Sequence, residues 1–194
     1  RDVLGSRGLG DVYKRQHIAR RFSGGGAVYH DLGNINLTFI ETAPRLPEFV
    51  TYLQRTLDFL NSIGLMAKGG ERLGIYLNGL KISGSAQCVH KNRVLYHCTL
   101  LYDTDLTALH KALNPELMVD DETLSSVYAV PSVRSEVTNI RSYLPEGTVT
   151  DFKEKAFQYF SKSQSVSAFT GKEIEAVNQL REGKYIQKEW IYSR

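Results

Sequence analysis

The chain reads as an α+β protein in which helices pack on an antiparallel-rich mixed β-sheet. Three observations lead to that class. Asn78-Gly79 separates two apolar runs, the strongest short-range hairpin signal because both turn residues tolerate φ > 0. Between Phe49 and Ile63, apolar residues recur at i, i+3, i+4 and i+7, the spacing of a helix with one buried face. Late in the chain, Thr148 with Asp151 and Thr170 with Glu173 have capping-box spacing ahead of helical patterns.

Composition narrows the function classes. The 194 residues are 42% hydrophobic and 23% charged, ordinary for a globular chain of one domain, or one and part of another. With 24 basic and 21 acidic residues the net charge is +3, too balanced for the concentrated basic face of a nucleic-acid binder. No apolar run approaches the ~18 residues of a membrane span, and the first residues lack the apolar stretch of a signal peptide. Two cysteines, Cys88 and Cys98, make no disulfide scaffold, so a cytoplasmic location is expected. Residues 1–16 scatter glycines among charges without a period, and Asp11–Gln16 resembles translated adapter sequence. They are expected to be a non-native or disordered leader, with the folded domain over residues 17–194.

Taken in order, Ala27 to His30 is expected to be a short strand and Ile35 to Ile40 an alternating second one. Pro44 and Pro47 break the pattern before the helix, which has Glu48 in its first turn and Gly64 at its end. Gly74–Leu77 and Lys81–Ser83 form the Asn-Gly hairpin. A turn at Lys91-Asn92 then links Lys81–His90 to Arg93–Tyr102, giving a three-strand meander. On its middle strand Lys81, Ser83, Ser85 and Gln87 share a face, either a solvent face or room for a ligand beside a lysine. A two-residue turn places Cys98 opposite Ser85, so the cysteines face opposite sides and no disulfide is expected. Asp105 to Ala112 is a helix stopped by Asn114-Pro115, and Met118 to Tyr143 is mostly loop. The two capped helices carry Phe152, Ala156, Phe157 and Phe160, then Ile174, Val177 and Leu180, and a final strand runs from Lys184 to Tyr192.

One stretch does not fit simple packing: Arg20-Arg21-Phe22-Ser23-Gly24-Gly25-Gly26-Ala27-Val28-Tyr29-His30-Asp31-Leu32-Gly33-Asn34. A triple glycine is costly to order and packs nothing. Beside two arginines its bare amides suit a phosphate or carboxylate, although a glycine-rich hairpin with a solvated charged rim has the same composition.

This stretch closely resembles the signature of lipoate–protein ligases, in the wider biotin/lipoate ligase superfamily. Lys81-Ile82-Ser83-Gly84-Ser85-Ala86-Gln87 resembles the family's second block, a lysine opening a small-residue strand. Thr99-Leu100-Leu101 after a His, and Ser132-Val133-Arg134-Ser135-Glu136-Val137-Thr138-Asn139, are similar to further blocks, and the resemblance covers roughly residues 18–192. It implies a class II aminoacyl-tRNA synthetase/biotin ligase-like catalytic domain, incomplete at its N-terminus and without a C-terminal accessory domain. The implied reaction is ATP-dependent: lipoate and ATP form lipoyl-AMP with release of pyrophosphate, and a lysine of an acceptor lipoyl domain then takes the acyl group. The implied acceptors are E2 subunits of 2-oxoacid dehydrogenases and the glycine cleavage H protein, with no nucleic acid or membrane partner.

By the same resemblance Lys81 is the catalytic residue, neutralising charge on the phosphorus and later on the acyl oxygen. Arg21, Gly25, Gly26, Ala27, Val28, Tyr29 and Lys81 match the ATP and adenylate contacts. Arg21, His30, Lys81 and Ser83 match the lipoate contacts, and Asn34 a supporting position. ATP and lipoate are the implied substrates, with Mg2+ expected. The chain departs from the family in several respects: where many members carry an Asn-Asp pair near the phosphates and magnesium it has Glu71-Arg72-Leu73-Gly74, with Glu71 the candidate substitute, and where members often have glycine it has Cys98. An ATP-independent octanoyl- or lipoyltransferase would need an activated thiolate, and neither Cys88 nor Cys98 sits where that nucleophile is expected. A non-catalytic lipoate- or lipoyl-domain-binding homologue is the third reading.

Overall fold

Residues 17–42, 48–70, 72–114, 134–162 and 165–192 are described in the computed structural model. The expected leader, Glu71 and Ser132-Val133 lie outside them. The described residues fall into two compact units, one of residues 23–114 with 134–162 and 165, the other of residues 17–22 with 166–192.

In the larger unit the Asn-Gly signal is realised. Asn78 and Gly79 take φ of 49° and 83°, the pair of positive values that matches the twist of a two-residue hairpin. They join β3 (Ile75–Leu77) to β4 (Leu80–Ser83), and β2 (Lys68–Gly69) completes a three-stranded antiparallel sheet in the order β2-β3-β4. The predicted meander does not continue in one sheet. The strand breaks at Gly84, and β5 (Ser85–His90) joins β6 (Arg93–Leu101) and β1 (Asn34–Thr42) in a second antiparallel sheet, ordered β1-β6-β5. Glycine weakens a strand interior and often marks such a bend.

The register across the Lys91-Asn92 turn is the predicted one, with Ser85 opposite Cys98 and Cys88 opposite Leu95. Both cysteines are free thiols, Cys98 buried and Cys88 half-exposed. Among the described residues the parallel component is a single bridge between Lys81 and Val137.

Helix α1 (Phe49–Ser62) buries Tyr52, Leu53, Thr56, Leu57, Phe59 and Leu60. Glu48 is its N-cap residue rather than part of the first turn, and its side chain caps nothing. Gly64 at φ 91° turns the chain out of the helix while its N–H closes on the Asn61 carbonyl at 3.1 Å. After α2 (Leu106–Leu113), capped by the Asp105 carboxylate on the Ala108 N–H, comes a short 3-10 turn at Ile140–Ser142. Next is α3 (Val149–Ser161), which has the full Thr148/Asp151 capping box. Phe152 and Ala156 of α3 meet Phe59 and Leu60 of α1 and Ile75, Ile82 and Leu100 of the sheets in one apolar core.

Two expected strands are absent. Residues 27–30 form no ladder, and their order comes instead from the Asn34 Nδ2 donating to the Tyr29 carbonyl at 3.1 Å. In the smaller unit α4 (Gly171–Leu180) has its Thr170/Glu173 capping box, followed by a π-helical turn at Arg181–Tyr185 and the short α5 (Lys188–Ile191) in place of the final strand. Local bonds take the N–H groups a strand would have spent on a neighbour: Ile186 on Arg181, Gln187 on Lys184, and Trp190 and Ile191 on Gln187. The apolar pair Ile186 and Trp190, four residues apart, suits a helix as well as a strand. Ile174, Val177 and Leu180 are exposed on α4.

Candidate functional site

Lys81 is fixed through its backbone. Its N–H donates to the Glu136 carbonyl at 2.8 Å, and its own carbonyl accepts from the Thr138 N–H at 3.0 Å. The strap that makes these bonds is itself tied down by Asn139. Its Nδ2 donates to the Thr104 carbonyl at 2.9 Å, while its Oδ1 accepts from the Thr104 N–H at 3.1 Å. The side chain lies half-buried across from Tyr76. Gly74 makes the room, since a Cβ there would stand 3.3 Å from the Lys81 Cε and 3.2 Å from the Tyr76 ring.

The residue that sequence reasoning missed is Arg72. Burial, then the Arg72 charge, lower the pKa of Lys81, so two cations face one region. Among the described residues neither has a carboxylate partner. Arg72 lines a cleft of about 190 Å³ with Gly24, Gly25, Leu73, Ser85, Ala86 and Gln87. Leu73 holds the arginine in place from a left-handed conformation, φ 56°, uncommon for a bulky residue. Its N–H donates to the Gly70 carbonyl at 3.0 Å, its carbonyl accepts from the Ser85 hydroxyl at 3.2 Å, and its side chain packs against both apolar clusters.

The glycine stretch reaches this cleft by Gly24 and Gly25, the latter at φ 99°. Ser23 anchors it, with its buried hydroxyl 2.5 Å from His97 Nε2 of β6. Gly26, Ala27, Val28, Tyr29, His30, Lys81 and Ser83 do not line the cleft. Tyr29 is buried, and its phenol is pushed up to about 12 by burial and by Asp31 and Asp105. His30 Nδ1 lies 3.1 Å from Asn34 Nδ2, so Asn34 holds both Tyr29 and His30 to the start of β1. Asp31 accepts from the N–H groups of Gly33 and Asp105 at 2.9 and 2.8 Å, a structural tie to the start of α2. Ser83 is buried beside the Cys98 thiol, which burial raises to about 11. Arg21, in the smaller unit, is half-buried with its pKa lowered by that burial.

The donor set among the described residues does not suit a protein-held metal. Among the described residues no three His, Cys, Asp or Glu side chains converge to hold a cation, and the cleft itself presents Arg72. Glu71 lies outside the described residues. No helix among the described residues is long and apolar enough to cross a membrane.

Comparison with known proteins identifies the family. The family model of the lipoyl protein ligase A/B catalytic domain matches residues 12–161, a span that holds every candidate residue from Arg21 to Ser83. A probable lipoate-protein ligase A of Mycoplasma pneumoniae is 39% identical over 160 residues, 80% of this chain and 46% of that protein. The lipoate-protein ligase LplJ of Bacillus subtilis is 31% identical over 185 residues, 91% of this chain and 54% of that one. The chain thus spans about half the length of these curated relatives.

Among solved structures, a bipartite lipoate protein ligase from Thermoplasma acidophilum, studied with its E2 lipoyl domain, superposes with a TM-score of 0.70 at 26% identity, covering 90% of this chain and 70% of that one. A lipoate-protein ligase A bound with ATP shares the fold, with a TM-score of 0.74 at 23% identity, covering 95% of this chain and 76% of that one. A strapped lysine, a glycine loop over the neighbouring strand and a family match across both place the chain in the lipoyl protein ligase A/B catalytic domain family.

Proposed function

We propose that this domain performs the chemistry of a lipoate–protein ligase. A lipoate carboxylate oxygen attacks the α-phosphorus of ATP, the bond to the β-phosphate oxygen breaks, and pyrophosphate leaves. The amine of an acceptor lysine then attacks the acyl carbon, the carbon–oxygen bond to the phosphate breaks, AMP departs, and the amine loses its proton. Lys81 and Arg72 offset the repulsion between carboxylate and phosphate, and the amides of Gly25 and Gly26 cradle the phosphate. Arg21 binds the acyl-phosphate region by its place in the motif. By their place in the motifs, Ala27, Val28 and Tyr29 are assigned to the adenylate and His30 and Ser83 to the lipoate, although none of them lines the cleft and Tyr29 and Ser83 are buried. Mg2+ enters with the nucleotide, because the described residues offer it no ligand set.

The observation that carries this reading is the cleft lined by Gly24, Gly25 and Arg72, with the half-buried Lys81 strapped by Glu136 and Thr138 on the strand that leads into Ser85. The thioester route is disfavoured because a thiol raised to about 11, as in Cys98, supplies no thiolate at neutral pH. The solved archaeal ligase with its E2 lipoyl domain supports lipoyl domains as acceptors, and the glycine cleavage H protein belongs to the same proposal, as does a cytoplasmic setting.

The test incubates the protein with an apo lipoyl domain and either lipoate plus labelled ATP or an octanoyl carrier protein. Acceptor mass gain and pyrophosphate release with the first donor are expected. Modification from the carrier protein alone would establish the transferase instead, and lipoate binding without modification would establish a binding module.

A further inference from the structure

We propose that Ser85 is a positioning residue for Arg72, acting through the Leu73 carbonyl. The proposal rests on the phosphate-side role given to Arg72 above. The segment that carries Arg72 is a turn closed by two backbone bonds. The Gly70 N–H donates to the Gly74 carbonyl at 2.8 Å, and the Leu73 N–H donates to the Gly70 carbonyl at 3.0 Å. The Tyr76 ring packs over the same turn, since a Cβ on Gly70 would stand 2.6 Å from its Cε2 and one on Gly74 3.2 Å. Tyr76 lies on β3, so these contacts tie the turn to the β2-β3-β4 sheet.

A leucine does not hold φ 56° unaided. Such a conformation persists only where its surroundings over-determine it, and at Leu73 they do so from both sides. The peptide before it is fixed by the bond to Gly70, and the peptide after it by the Ser85 hydroxyl, which donates to the Leu73 carbonyl at 3.2 Å. Ser85 opens β5 and is itself held. It stands opposite Cys98, and the adjoining Gly84 carbonyl accepts from the Thr99 N–H at 2.9 Å. The Tyr96 hydroxyl is buried without a hydrogen bond among the described residues. Burial, then Cys98, push that phenol up to about 12 against a lowering by Ser85. At neutral pH it keeps its own proton, and the serine proton stays on Leu73. The Ser85 bond therefore crosses from one sheet to the other. It sets an arginine borne on the first beside a cleft wall of Ser85, Ala86 and Gln87 supplied by the second. With the backbone after Arg72 fixed, side-chain torsions are what an anion has left to order, and ordering done before binding is affinity gained.

The test follows lipoate-dependent ATP–pyrophosphate exchange as ATP is varied. Ser85→Ala is expected to raise the KM for ATP about three- to tenfold, the worth of one hydrogen bond. The maximal exchange rate should stay within about twofold and the melting temperature unchanged. Ser85→Thr keeps the hydroxyl and is expected to restore the wild-type KM. In the Arg72→Gln background, whose own KM is raised, Ser85→Ala should add nothing further. Additive effects would give Ser85 a ligand contact of its own, and an unchanged KM in Ser85→Ala would show Arg72 placed without it. Either result overturns the proposal alone. A wild-type KM in Arg72→Gln would overturn the role of Arg72, and no exchange by the wild type would overturn the ligase reading; the proposal falls with each.

Discussion

Burial and the neighbouring Arg72 both lower the pKa of Lys81 from its ordinary value of 10.5, so the folded state holds that proton less tightly than the unfolded chain does. The ammonium form opposes folding in full below the lowered pKa, and the penalty fades as pH rises from there to 10.5. A bound anion reverses the balance, which is what a site built for two substrates that repel each other requires. Arg72→Gln removes one cause of the shift, so the alkaline limb of the pH–rate profile should move to higher pH. The KM for ATP should rise about 10- to 100-fold with the loss of a charged contact. A profile that stays in place would separate Arg72 from Lys81. At this scale the motif residues were legible because they adjoin in sequence. Arg72, His97 and the left-handed Leu73 were not, because no local pattern marks them. Arg72 is marked by the cleft it lines and by its charge on Lys81, and His97 by a contact with Ser23 across 74 positions.

At the scale of elements, both capping boxes, the Asn-Gly hairpin and the register of β5 on β6 were readable, since each is set by chemistry within a few residues. The strands expected at 27–30 and 184–192 were not formed, because a strand exists only if a partner lies beside it, and local hydrogen bonds satisfy both segments. The break at Gly84, which sends one continuous apolar pattern into two sheets, has no periodic signature. Gly33 is a point where element packing is exacting. A Cβ there would stand 2.0 Å from the Asp103 carbonyl oxygen, and that backbone cannot retreat, because the N–H groups of Tyr102 and Asp103 both donate to the Gly33 carbonyl. Gly33→Ala should cost about 1–3 kcal/mol or more in urea unfolding. Gly24→Ala, which meets nothing within 4 Å, should stay within about 0.5 kcal/mol.

For the whole molecule the α+β class was legible from alternating hairpin and helix periods, whereas the division into two units was not, since no composition change marks it. The thiols test the fold as a unit. Cys98 is 1% exposed between α1 and the sheets, with its thiol raised to about 11, while Cys88 is half-exposed. One thiol per native chain should react with an aromatic disulfide reagent. The second should follow about a thousandfold more slowly, at the rate of global opening, and both should react at once in denaturant. Two fast thiols would contradict the register.

The central claim is that Lys81 serves acyl-adenylate formation, and lipoate-dependent ATP–pyrophosphate exchange measures that half-reaction without any acceptor. The wild type should exchange only when lipoate is present. Lys81→Met should lose about 100-fold or more while melting no lower than the wild type, because it sheds a buried charge. Exchange at a comparable rate in Lys81→Met, or exchange that ignores lipoate, would contradict the account.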